Sequence, residues 1–146
     1  RAMIRALGGA PLLRGAQPGS RRFVALMATG DHADPKISAF IHDLFAATPA
    51  AGRGAWARVL VDEVGPTHID LTGLTVPTLV IGSARDRLLP MSQARKIAAA
   101  APNLVKLVEM PGGHCAMLEH PADVTGYLRE LIVATNAAPR QRRISS

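Results

Sequence analysis

The stretch VPTLVIGSARDRLLP, residues 76–90, decides the fold. Its apolar part is short, rich in β-branched residues and lacks polar alternation, which marks a strand buried on both faces of a parallel sheet. MSQARKIAAAAP (91–102) then reads as a helix ended by Pro102, and LVKLVEM (104–110) as a second strand. The strand starts lie about thirty residues apart, the span of one right-handed crossover, so the strands are expected to be parallel neighbours. Beyond MPGGH (110–114), a further helix is expected after His120 and Pro121, with Val124, Tyr127, Leu128, Leu131 and Ile132 as its apolar stripe.

Parallel strands end on the same edge of a sheet, where open α/β folds place their ligands. Asp86 follows the first strand end and His114 the second, so this topology brings an acid and an imidazole within reach of one another. A carboxylate beside a histidine accepts a hydrogen bond from one ring nitrogen and sets the tautomer. It also stabilises the imidazolium formed when the other nitrogen takes a proton. Gly112 and Gly113 give the second loop the backbone freedom to turn the ring toward the site.

Order, spacing and flanks together make VPTLVIGSARDRLLP and LVKLVEMPGGHCAMLEHP (104–121) similar to the last two strands of the α/β-hydrolase superfamily. The resemblance implies an α/β fold: the C-terminal portion of an α/β-hydrolase, two parallel strands with flanking helices plus helical cap segments. It implies that Asp86 orients the catalytic base and that His114 is that base. One residue departs from the family pattern, Ser83 standing where a glycine is usual. Residues 74–135 would form the C-terminal part of the core, 1–73 a helical cap-like region and 136–146 a basic tail.

The cap-like region carries one clear helix signal. In HADPKISAFIHDLFAATP (32–49), Asp34 is placed to cap a helix that begins at Pro35, with Ile37, Phe40, Ile41, Leu44 and Phe45 on one face. Phe40, Ile41 and Phe45 are candidate acyl-pocket residues, set against plain packing of the cap. A second helix is expected past Thr48-Pro49, through Trp56 and Leu60, weakened by Gly52 and Gly54. GDHAD (30–34) groups oxygen and imidazole ligands but lacks the further ligands a metal site needs. Glu119 reads as a structural hydrogen-bonding partner, His120 as a helix-start residue and Cys115 as a small packing residue.

The net charge of +6 is confined to the ends. Residues 1–22 hold five arginines and no acid, residues 139–146 hold three more, and the remainder sums to −2. With aromatic residues at only 3%, the arginine–aromatic surface of a nucleic-acid binder is missing, so no nucleic-acid partner is expected. No apolar run reaches the length of a membrane span. One cysteine excludes an intrachain disulfide, and a cytoplasmic setting is the expectation.

In this superfamily the nucleophile precedes the acid on a G-x-S-x-G elbow. None of Ser20, Ser38 or Ser83 lies in such an elbow. The expected function is therefore the C-terminal half of a serine hydrolase acting on esters or related acyl substrates, completed by an N-terminal half and needing no cofactor or metal. Two alternatives stand beside it: half of an aspartate-nucleophile member, such as an epoxide hydrolase or dehalogenase, or a non-catalytic remnant.

Overall fold

The computed structural model describes residues 18–64 and 70–137. Most of the basic ends, Arg1 to Arg14 and Arg140 to Arg143, therefore lie outside the described residues, as does the basic tail beyond residue 137. Two strands, β1 (Thr78–Ser83) and β2 (Leu104–Met110), pair in parallel, and helix α4 (Met91–Ala100) makes the crossover between them. Upstream lie α1 (Pro18–Ala28), α2 (Pro35–Ala47) and α3 (Ala50–Val59), the last widening into a π-type turn at Leu60–Val64. Downstream, a single turn α5 (Ala116–Glu119) leads into α6 (Pro121–Ala137). No described helix is long and apolar enough to cross a membrane.

The pleat sorts the strand residues. Ile81 pairs with Val108 and Ser83 with Met110, and on that face Val108 and Met110 join Ala116, with Leu79, Ile81, Val124 and Tyr127 packed around them. On the α6 side Lys106 bonds Glu130 at 2.7 Å and sits 5.1 Å above the Tyr127 ring. The opposite face meets α4, where Arg95 bonds Glu109 at 2.9 Å. Gly82 is required there: a Cβ would strike Met91 Sδ and stand 2.7 Å from the Ala94 methyl, so a larger residue would push α4 off the sheet. The expected α6 stripe divides, Val124, Tyr127 and Leu131 being partly covered while Leu128 and Ile132 remain exposed.

Helix α2 forms as its sequence dictates. The Asp34 carboxylate accepts from Lys36 N at 2.8 Å, Pro35 opens the helix, and Thr48 N–H returns to Phe45 O. Buried Arg53 of α3 then caps the far end of α2, donating to Phe45 O at 2.7 Å and to Thr48 O. The seam between α1 and α2 is pinned by His42, which is wholly buried. Its Nε2 lies 2.9 Å from Ser20 Oγ and its Nδ1 3.1 Å from Asp43 Oδ1. This serine–histidine–aspartate set is structural, because a ring with no exposed surface offers no face to a substrate. His42→Ala is expected to cost about 2 kcal/mol or more, combining a cavity with lost buried hydrogen bonds. The urea midpoint reads this loss, with the exposed Asp43→Asn as the milder control.

Candidate active site

Parallel pairing brings the two strand ends together. Past β1 the chain turns on Asp86 N–H donating to Ser83 O at 3.2 Å, and past β2 it runs through Pro111, Gly112 and Gly113. Ser83 accommodates this turn without left-handed backbone, since no described non-glycine residue has positive φ. Gly112 does have it, at φ +99°. The loops are stitched directly: Ala84 N–H donates to Met110 O at 2.9 Å and Arg85 N–H to Gly112 O at 3.1 Å.

On this scaffold His114 Nδ1 lies 2.9 Å from Asp86 Oδ2. Asp86 is itself immobilised, its Oδ1 accepting from the backbone N–H of Leu88 at 2.8 Å and of Leu89 at 2.7 Å. The carboxylate is nearly covered, at 9% exposed, while the imidazole is 36% exposed. With Nδ1–H directed at the carboxylate, Nε2 keeps its lone pair and is the nitrogen available to take a proton. No hydroxyl or thiol hydrogen-bonds to Nε2 among the described residues.

Glu119 ties this loop to the helical region. One oxygen accepts from Gly113 N–H at 2.9 Å and the other from Gly30 N–H at 2.9 Å, while Cys115 N–H donates to Ala28 O at 2.8 Å. Sequence reading anticipated a hydrogen-bonding role for Glu119. Its reach to Gly30, 89 residues away in the chain, had no local signal. Cys115 is not a competing nucleophile, because burial and the negative charges of Glu119 and Asp86 push its thiol pKa up and keep it protonated at neutral pH. His120 stands at the start of α6, its carbonyl accepting from Val124 N–H, with Asp123 at 3.9 Å. In GDHAD, Asp31 is taken up by Arg85 and Arg87 and Asp34 by the cap of α2.

A cleft of about 500 Å³ opens between α1, the start of α2 and the acid loop, lined by Arg21, Arg22, Leu26, Thr29, Ala39 and Arg87 among others. From α2 it takes Pro35, Ser38 and Ala39. Of the candidate acyl-pocket residues, Ile41 is buried in the helical layer, whereas Phe40 and Phe45 are about half exposed, outside the cleft.

The sequence profile of the alpha/beta hydrolase family matches residues 2–126. The chain belongs to the α/β-hydrolase family. A thermophilic esterase from Thermogutta terrifontis, solved with malate bound, superposes on this α/β-hydrolase chain with a TM-score of 0.70 at 21% identity, over 90% of this chain and 48% of the esterase. The CarC enzyme, a serine hydrolase involved in carbazole degradation, superposes with a TM-score of 0.62 at 22% identity, over 86% of this chain and 51% of its own. The chain thus spans about half the length of these structures, and the likeness is one of fold. No curated protein sequence matches the chain.

Proposed function

We propose that this chain is the acid-and-histidine half of a serine hydrolase acting on esters or related acyl substrates. The observation that carries this reading is the 2.9 Å contact between Asp86 and His114 Nδ1 at the common C-terminal edge of two parallel strands. A nucleophile-bearing segment of the same fold would complete the site. β1 has β2 on one edge and no strand on the other among the described residues, an arrangement that parallel sheets do not leave open to water. Leu88 and Leu89 are likewise exposed beside the acid.

In the completed site His114 Nε2 takes the proton of a serine hydroxyl as its oxygen bonds the acyl carbon, and Asp86 stabilises the imidazolium. The imidazolium then gives that proton to the departing alkoxide as the ester bond breaks, leaving an acyl-enzyme. Water resolves the intermediate by the same two proton transfers. Phe40 and Phe45 are exposed apolar surface that an acyl chain would cover, although they lie outside the cleft, while Ile41 is buried in the helical layer. Epoxide opening is disfavoured: on this fold it draws on cap tyrosines, and residues 1–73 contain none, Tyr127 lying on α6 under Lys106.

The 146-residue chain alone is expected to show no ester hydrolysis above background and no labelling by a serine-directed phosphonate. Co-expression with a nucleophile-bearing segment of the same fold is expected to produce both, dependent on His114. Turnover by the chain alone would place the nucleophile within it. Haloalkane or epoxide turnover by the reconstituted protein would favour the aspartate reading, and inactivity of a folded complex the non-catalytic one.

A further inference from the structure

Asp86 is bracketed in the chain by Arg85 and Arg87. A guanidinium is among the strongest partners a carboxylate finds, through two parallel charge-assisted hydrogen bonds. Either neighbour seated on Asp86 Oδ2 would compete with His114 for it, because Oδ1 is already occupied by the Leu88 and Leu89 N–H groups. Neither arginine does so. Arg85 Nη1 donates to Asp31 Oδ2 at 2.7 Å, and Arg87 Nη2 to Asp31 Oδ1 at 3.0 Å. Arg87 Nη1 donates in addition to Leu26 O, at 2.5 Å, in the last turn of α1.

Asp31 is therefore a single carboxylate holding one guanidinium on each oxygen, brought in from 54 and 56 residues away in the chain. Its own position is secured by its neighbours. Gly30 N–H is bound by Glu119, and Ala28 O by Cys115 N–H, so the segment that bears Asp31 is anchored to the histidine loop. The Arg87 hydrogen bond and the Arg85 charge hold the Asp31 carboxyl below its usual range, which keeps it ionised throughout the neutral region.

We propose that Asp31 is a positioning residue that draws off the two arginines flanking Asp86, so that the Asp86 carboxylate remains committed to His114. The proposal rests on the Asp86–His114 pair being the working part of the site, but it concerns the pair itself and is read without substrate. Solvent-exposed ion pairs contribute little to stability, and Arg85 is 65% and Asp31 40% exposed. The consequence of losing Asp31 is therefore expected in the histidine and not in the fold.

The test is the ¹⁵N and proton NMR signature of His114 in the full chain, assigned by its disappearance in His114→Gln. The unaltered protein is expected to show a fixed Nδ1–H tautomer with a downfield ring proton. Asp31→Asn is expected to lose that proton signal and give mixed tautomers at an unchanged melting temperature. Asp31→Asn/Arg85→Gln/Arg87→Gln is expected to recover it, since the competing guanidiniums are gone. Arg85→Gln/Arg87→Gln alone should leave the signature intact, since neither arginine contacts Asp86, and Asp31→Ser replaces Asp31→Asn with the same expected loss should the latter fail to fold. An unchanged signature in a folded Asp31→Asn, no recovery in the triple variant, or loss in the arginine double variant would each overturn the proposal. None of these outcomes depends on whether esters are hydrolysed.

Discussion

His114→Ala is expected to reduce kcat/KM of the reconstituted hydrolase by about four orders of magnitude, and adding Asp86→Asn to that variant is expected to cost little more. On the proposed reading the two residues act as a unit. Asp86 Oδ2 is bonded to His114 Nδ1, and its other oxygen is spent on the backbone of its own loop. Once the imidazole is gone, the carboxylate has no proton transfer left to assist. Asp86→Asn alone should still be severe, because an amide in that place favours the wrong imidazole tautomer. Steady-state kinetics on the two single variants and the double variant decide between coupling and independence, and fully additive losses would show that the pair is not a dyad.

Gly113→Ala is expected to destabilise the fold by about 3 kcal/mol, with displacement of the histidine loop. A Cβ on residue 113 would penetrate the Thr29 carbonyl carbon and stand 2.6 Å from its oxygen and 2.7 Å from Gly30 N. All three are backbone atoms, so no side chain can swing aside to relieve the overlap. The same contact is spanned by the Glu119 carboxylate, so relief by moving the loop also breaks the bonds to Gly30 and Gly113. Gly126→Ala is the matched control: a Cβ there, on α6, meets nothing within 4 Å, and alanine should be neutral or stabilising by up to about 1 kcal/mol. Urea denaturation of the two variants side by side measures the contrast. Equal midpoints would show that the close approach of residues 113 and 29 is not rigid.

Rigidity of that kind ties the acid and histidine loops to the helical region. Residues 28–31 receive a hydrogen bond from the Cys115 backbone, give one to Glu119 and hold both arginines of the acid loop. The Asp86–His114 geometry is consequently a property of three segments and not of two.

Much of this was legible locally. An apolar run of this length without alternation, rich in β-branched residues and ended by Gly82 and Ser83, reads as a strand, though of β1 only Val80 and Ser83 are buried among the described residues. A crossover of the right length makes the next run its parallel neighbour, and parallel pairing leaves both loops on one edge. The placing of Asp86 beside His114 followed from these periodicities and flanks alone, and so did the Asp34–Pro35 start of α2, whose capping bond is made within three residues.

What lay beyond the sequence were contacts whose partners are far apart in the chain and carry no periodicity of their own. Glu119 could have served any nearby N–H, and only the docking of residue 30 against residue 113 supplies its second donor. Arg85 and Arg87 stand next to Asp86 in the chain, yet the fold delivers a different carboxylate to them. The apolar stripe of α2 was visible, but which part of it is covered depended on the approach of α1: Ile41 and His42 were buried, while Phe40, Leu44 and Phe45 were left facing outward. Local energetics select the elements within a few residues. The identity of a long-range partner is settled by packing between elements, which one-dimensional patterning does not encode.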